Sequence, residues 1–360
     1  MKAKILDFTR VLAGPLCSMM LGDLGADVIK VERPGKGDET RGWGPPFDAD
    51  GESAYFLSIN RNKKSLAADL RSAADRALVL DLMREADVVI ENFLPGSLAR
   101  LGIDRDTILD AHPSLIWCSI SGYGPDRRRP GYDFVTQAEC GWMSITGPMN
   151  GEPTKVGVAL ADVIAGKDAA IAILAALAAR VDGRLPEERR RIDISLADSA
   201  RAALVNVAQN VLVSGKDAAR WGNGHPNLVP YQLFDAADRP FVIAVGSDDQ
   251  WRECALAIGL KDLLAERDFA TNAGRVRNRE RVVGIISRHV LERPAAHWIE
   301  RLDARGVACG LVHTVAETLA GTDASPRTGV PSSVGGTVRM PSPRLDEHGA
   351  ELRAMGWRAF

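Results

Sequence analysis

Six short segments rich in Val, Ile and Leu alternate with helix-length stretches between Lys4 and Ser195, and that alternation limits the possible folds more than any other feature. The segments are Lys4–Phe8, Asp27–Glu32, Ser65–Leu70, Val88–Glu91, Leu115–Ser121 and Arg191–Ser195. Helical patterns occupy about Gly14–Leu24 and Ser72–Glu85, begin again at Pro95-Gly96-Ser97, and run from Gly131 to about Ser144. An alanine-rich run, Ala169 to Ala179, follows, and Leu196–Val213 reads as one long helix. Strands that alternate with helices through short links pair in parallel and cross over right-handedly. The expected fold class is therefore α/β: a doubly wound, Rossmann-like parallel sheet.

In such a sheet ligands bind outside the carboxyl ends of the strands. Those ends carry Arg10, Glu32–Arg33, Glu91–Phe93 and Gly122–Gly124. Glu32 stands where a dinucleotide-binding domain keeps its ribose-binding acid. The first turn, however, reads Leu12-Ala-Gly-Pro15 and not G-x-G-x-x-G, which argues against a nicotinamide cofactor.

After a loop-like stretch from Ser214 to Tyr231, the pattern changes. A strand at Phe241–Gly246, helices at Asp249–Ile258, Arg275–Glu292 and Ala295–Arg305, and a strand at Cys309–His313 form a second, smaller α/β module. The expected organisation is a large domain over 1–213, a linker over 214–231 and a small domain over 232–329. The tail from 330 to 360, with strand and turn character at Thr337–Leu345, returns to the large domain.

The 360 residues carry 45 basic and 47 acidic side chains, a formal charge of −2 that offers no field for nucleic acid or an anionic membrane. Five scattered cysteines without a C-x-x-C, and six histidines without an H-x-x-x-H pair, argue against a disulfide framework and against a metal site. No segment approaches 18 uninterrupted apolar residues and the N-terminus lacks a signal-peptide pattern, so a soluble cytoplasmic protein is expected.

One carboxylate sits in apolar company: Asp162, within Gly157-Val-Ala-Leu-Ala-Asp-Val-Ile-Ala-Gly166, at or just before the first turn of the alanine-rich helix. Two readings fit. Asp162 is an N-cap, a common role for Asp. Alternatively it is a nucleophile, kept ionised by the helix end and freed of water by its neighbours.

The chain resembles a known family, the class III (CaiB/BaiF-type) CoA-transferases. Their relatives include formyl-CoA:oxalate, carnitine and succinyl-CoA transferases and α-methylacyl-CoA racemase. The resemblance runs from Leu6 to about Val312. It rests on Leu6-Asp-Phe-Thr, Ala13-Gly-Pro, Leu24-Gly-Ala-Asp-Val-Ile-Lys-Val-Glu-Arg-Pro34, Asn60–Ser65, Glu91-Asn-Phe93, Gly122-Tyr-Gly-Pro125, Gly131-Tyr-Asp133, Lys155-Val-Gly-Val158 with Ala161-Asp162, and Gly222-Asn-Gly-His-Pro-Asn227. Each fragment is weak alone; together, in the family's order, they are specific.

The resemblance implies CoA transfer from an acyl-CoA to a free acid, with CoA a substrate and no prosthetic group. Asp162 would attack the thioester and form a mixed anhydride, which CoA thiolate converts to an enzyme-bound thioester. Tyr132 and Asp133 would position that anhydride, and Gly222 and Gly224 would belong to a mobile loop over the reacting carbonyl. Backbone N–H groups near Leu12 and Ala13 would serve the oxyanion. Arg33, Arg71 and Arg100 would bind the CoA nucleotide, while Val11, Ala13, Asn92 and Phe93 line the channel for its arm. The relatives are interlocked homodimers, and the same is expected here. The racemases are the rival reading: they use a His–Asp pair, and the His position aligns with Tyr132, whose phenol, with a pKa of about 10, is a poor base at neutral pH. A non-catalytic CoA-binding protein on the same fold is the alternative from another class.

Overall fold

The computed structural model describes residues 2–183, 185–321 and 328–360. The chain divides into two compact units: one comprises 1–142, 155–216 and 323–360, the other 143–154 and 217–322. Residues 143–154, assigned by sequence to the large domain, thus cluster with the second unit. Residues 322–327, next to the expected boundary at 329, lie outside the described residues.

The first unit is built on six parallel strands: β1 (Lys4–Asp7), β2 (Asp27–Glu32), β3 (Lys63–Ala67), β4 (Val88–Glu91), β5 (Ile116–Ser121) and β6 (Arg191–Ser195). Their spatial order is β3-β2-β1-β4-β5-β6. The chain winds outward in both directions from β1, so the crevice between the carboxyl ends of β1 and β4 is the expected ligand position. β1, β2, β4 and β5, buried on both faces, carry near-continuous apolar runs that make them legible. β3 starts at Lys63 and not at the expected Ser65, its two lysines being buried by pairing with Asp7 and Glu351, and β6 alternates apolar and polar residues.

Helices cover both faces. The main ones are α1 (Ala13–Asp23), α2 (Ala73–Glu85), α3 (Arg105–Ala111), α4 (Asp133–Glu139), α5 (Leu160–Val181), α6 (Leu196–Ala202) and α7 (Val205–Ser214). On one face α1 and α5 bury Ala13, Cys17, Leu21, Ala165, Ala169 and Ile173 against Ile5, Val28, Ile90 and Cys118. On the other, Val79, Leu82 and Met83 of α2 pack with Leu352 and Trp357 from the C-terminus against Leu6, Ile29 and Trp117. The fold class is the expected one, an α/β doubly wound parallel sheet.

Small residues let α1 and α5 approach closely. A Cβ on Gly166 of α5 would lie 2.5 Å from the carbonyl oxygen of Ala13, so the two backbones nearly touch there. This contact places the first turn of α5 beside the first turn of α1.

Several elements differ from the sequence reading. The helix expected from Gly131 to Ser144 ends at Glu139, and Gly141, with φ of 88°, separates it from a single turn at Trp142–Ile145. The long helix expected over Leu196–Val213 breaks between α6 and α7, where Val205 has φ of 40° and no Gly or Pro announces the break. The helix expected from Pro95 is only a 3-10 turn, Ala99–Leu101. The tail at Thr337–Leu345 forms no strand. The Asn62 carboxamide holds it instead: Nδ2 donates to the Thr337 carbonyl (2.8 Å), and Oδ1 accepts from the N–H groups of Arg339 (2.6 Å) and Met340 (2.9 Å). Pro341 and Pro343 have no N–H to offer a ladder. Farther on, Asp346 and His348 cover the free edge of β3, with Ala67 N–H donating to Asp346 Oδ1 (2.7 Å) and His348 N–H to the Ser65 carbonyl (3.2 Å).

The second unit is an antiparallel sheet of β7 (Tyr231–Asp235), β8 (Pro240–Ala244) and β9 (Ala308–Leu311), with α8 (Asp248–Ala257), α9 (Arg279–Val290) and α10 (Ala295–Asp303). Phe234, Phe241, Ile243, Trp251, Ile286 and Trp298 form its core. β7 was missed in the sequence because its residues are mostly half-buried or exposed and do not alternate cleanly.

Gly166→Ala is expected to destabilise the chain by about 1–3 kcal/mol through overpacking against Ala13. Gly157→Ala, whose new methyl meets nothing within 4 Å, stays within about 0.5 kcal/mol of the parent. Urea unfolding of both variants makes the comparison.

Candidate active site

The first turn of α1 lies at the crevice beyond β1. Leu12 precedes it without a side-chain cap, and no acidic residue occupies the turn. Among the described residues, the N–H groups of Leu12, Ala13 and Gly14 have no acceptor. Val11, just before them, has φ of 70°, a conformation that costs a β-branched residue of order 1–3 kcal/mol. Its amide is held by Asp38 Oδ1 (3.3 Å). Asp38 is in turn paired with Lys30 Nζ at 3.0 Å, both side chains being wholly buried.

Asp162 is not a cap. α5 starts at Leu160 after Ala159, which makes no side-chain cap, and Asp162 is the third residue of the helix. The capping is done from a distance by Asp133. Its Oδ1 accepts the Ala161 N–H at 2.8 Å and, less closely, the Asp162 N–H at 3.5 Å. Gln137 Nε2 donates to the other oxygen (2.7 Å), while Gln137 Oε1 takes the Val156 N–H (2.8 Å). Asp162 itself is only 9% exposed, and among the described residues its carboxylate has no hydrogen-bond or ion-pair partner.

This corrects the expectation that the helix end keeps Asp162 ionised. Asp133 already occupies the amides, so Asp162 receives its neighbour's negative charge with little stabilisation. Burial, and secondarily the Asp133 charge, push its pKa up from 3.8 to about 7. Tyr55, whose phenol is pushed up to about 12 by burial and then by the Asp162 charge, belongs to the same electrostatic neighbourhood and was not picked out in the sequence.

Asp162 lines a cavity of about 220 Å³ with Val11, Leu12, Ala13, Asn92, Phe93 and Tyr132. Seven sequence-chosen residues therefore meet in one place. Asp133 is joined to them through the amides of α5, and Tyr132, 57% exposed, precedes α4 at the cavity wall. The cations of this cavity, Arg10 and Arg129, were not chosen as site residues, although Arg10 was noted at the end of its strand.

A second cavity, about 510 Å³, shares Arg10 and Phe93 with the first and is lined by Arg33, Lys36 and Arg71. Arg33 lies 3.3 Å from Glu39, and Arg71 pairs with Asp69 at 2.9 Å. Lys36, without a carboxylate partner among the described residues, was missed for want of any motif around it. Arg100 lines neither cavity; it is exposed and donates to Ser97 Oγ at 3.0 Å. Gly222 and Gly224 lie in the second unit, Gly222 with φ of 58°, a value that favours glycine. His225 is engaged locally: Nδ1 accepts the Asn227 N–H (3.1 Å), and the ring packs on Tyr231.

The sequence pattern of CoA-transferase family III matches residues 2–353. Succinyl-CoA:glutarate CoA-transferase of Mus musculus is 42% identical, over 87% of this chain and 71% of that protein. Succinate–glutarate CoA-transferase of Agrobacterium fabrum is 38% identical, over 98% of this chain and 94% of its own. Among solved structures, a CAIB/BAIF family protein from Brucella suis superposes with a TM-score of 0.85 at 39% identity, covering 98% of this chain and 97% of that one. The cleft on a doubly wound sheet, its buried unpaired aspartate and these likenesses agree: the chain belongs to CoA-transferase family III.

Proposed function

We propose that this enzyme moves CoA from an acyl-CoA to a free carboxylic acid, a dicarboxylic acid by likeness to its succinate–glutarate relatives, with Asp162 as the nucleophile. The observation that carries the reading is a buried carboxylate that, among the described residues, has no protein partner and lines the same cavity as the N–H groups of α1's first turn, which likewise have none.

An Asp162 oxygen attacks the thioester carbonyl, the C–S bond breaks, and CoA leaves as thiolate from a mixed anhydride. The N–H groups at Leu12 and Ala13 stabilise the oxyanion of the tetrahedral intermediate. The thiolate then attacks the aspartyl carbonyl, releasing the first acid and leaving CoA as a thioester on Asp162. The incoming carboxylate repeats the two steps in reverse order and departs as the new acyl-CoA. Activation is conserved throughout, so water must be kept out of the anhydride. Asp133 acts as a positioning residue, fixing α5's first turn, and Tyr132 closes the cavity wall.

The first unit is the CoA-binding domain on this reading. Val11, Asn92 and Phe93 guide the pantetheine arm, and Arg33, Arg71 and Lys36 receive the nucleotide phosphates. Arg100 would reach them only from outside both cavities. Val205, Leu212 and Val213 are 69–77% exposed on α7, which supports burial of that helix in a homodimer. Five unpaired cysteines fit a reducing cytoplasm. A local role for His225 and a tyrosine at position 132 speak against a racemase.

Asp162→Ala is expected to abolish transfer while CoA binding stays within about an order of magnitude. Hydroxylamine added to enzyme and acyl-CoA should yield a hydroxamate at Asp162 by mass spectrometry. Exchange of the α-proton in deuterated water without transfer would support the racemase instead.

The nucleophile must be ionised, so kcat/KM should rise with pH to a plateau above about 7. Asp133→Asn keeps an acceptor for Ala161 but removes the charge, and moves that inflection toward acid.

The raised pKa also has a stability consequence. Unfolded Asp162 loses its proton near 3.8, folded Asp162 near 7, so the penalty on the folded state accrues between these values and is complete above them. Asp162→Asn should gain up to about 4 kcal/mol of folding free energy at pH 8, read as a raised thermal midpoint, and leave the midpoint nearly unchanged below pH 4.

A further inference from the structure

Arg10 carries an unexplained buried group. Its backbone is fixed from both sides by Asn92, whose Oδ1 accepts the Arg10 N–H (3.0 Å) and whose Nδ2 donates to the Arg10 carbonyl (2.7 Å). The guanidinium lies over the Phe93 ring, 5.0 Å from its centroid. Nη1 donates to Glu39 Oε1 at 2.6 Å. Nε is buried and has no hydrogen-bond partner, and among the described residues Nη2 has none either. A buried unpaired guanidinium N–H is costly and rare. Here the pair without a protein partner among the described residues, Nε and Nη2, is one edge of the planar fork, the edge that takes a carboxylate through two parallel hydrogen bonds.

The neighbouring cation offers no such edge. Arg129 commits both terminal nitrogens to Glu139, at 2.6 and 2.9 Å, and lies over Tyr123. Of the two arginines that line the cavity holding Asp162, Arg10 is the one with a free side-on pair.

We infer that Arg10 is the specificity-determining residue for the acid: its Nε–Nη2 edge binds the distal carboxylate of a dicarboxylic acid while the other carboxyl reacts at Asp162. Glu39 is the positioning residue, holding the guanidinium through Nη1. This rests on the CoA-transferase reading and adds to it the residue that reads the substrate's second charge. A monocarboxylic acid of the same length leaves the edge unpaired and reacts poorly. The same edge would also suit a CoA phosphate, because Arg10 lines the basic cavity as well.

The test measures transfer from succinyl-CoA to glutarate and from butyryl-CoA to valerate by mass spectrometry, in the parent, Arg10→Gln and Arg10→Lys. Calorimetry with CoA and dephospho-CoA accompanies each variant. The expected result is a loss in kcat/KM for the dicarboxylic pair of about a hundredfold in Arg10→Gln, at least tenfold greater than the loss for the monocarboxylic pair, with CoA affinity changed less than threefold. Arg10→Lys, which keeps the charge but not the fork, recovers only part of it. Equal losses on both pairs, or a tenfold loss of CoA affinity that disappears with dephospho-CoA, would overturn the inference. Absence of transfer by the parent with every donor and acid would instead defeat the CoA-transferase reading itself.

Discussion

The ion pair between Lys30 and Asp38 lies at the root of the cleft. Both side chains are wholly removed from solvent, so each depends on the other and on its remaining hydrogen bonds. Lys30 also donates to the Thr9 carbonyl at 2.8 Å, and Asp38 accepts from Thr40 and from the Val11 amide. The pair thereby ties the end of β2 to the strained turn that opens α1. Next to it, Lys63 bonds Asp7, Asn60 and the Pro15 carbonyl, and burial pulls its pKa down to about 8. A layer of buried charge beneath the cleft contributes little net stability. It does give the first turn of α1 a single geometry, because shifting that turn would strand a charge in the interior.

The same principle operates at the other wall with the opposite result. A helix N-terminus ordinarily favours an anion, and two acids compete for that of α5. Asp133, from a different helix, takes the amides; Asp162, within the helix, does not. The partition leaves one carboxylate satisfied and one poorly solvated. A poorly solvated carboxylate is a stronger nucleophile when charged and is less readily charged, and a pKa of about 7 is the compromise between the two.

How much of this was readable in the sequence follows from the range of each interaction. β1, β2, β4 and β5 were readable because burial on both faces writes an apolar run, while the start of β3 was hidden by its buried lysines, Lys63 and Lys64. Half-exposed β7 wrote nothing of the kind, and the break between α6 and α7 has no Gly or Pro to mark it. Asp162 was legible as a carboxylate near a helix start. Its lack of partners was not, because the residue that displaces it, Asp133, is 28 positions away from Ala161 in the chain. Arg10 was noted at a strand end, but its open edge depends on Asn92, Phe93 and Glu39, none of which is its neighbour in sequence.

The C-terminal segment has an effect on how the molecule must come into being. Asp346 and His348 sheath the edge of β3, while Leu352 and Trp357 complete one face of the sheet. A ribosome delivers the six strands well before it delivers these residues. Until residues 346–357 emerge, the nascent sheet has a bare outer strand and an uncovered apolar face, both of which invite pairing with other chains. The enzyme therefore has a vulnerable interval built into its synthesis, one that ends only when Asp346 to Trp357 arrive.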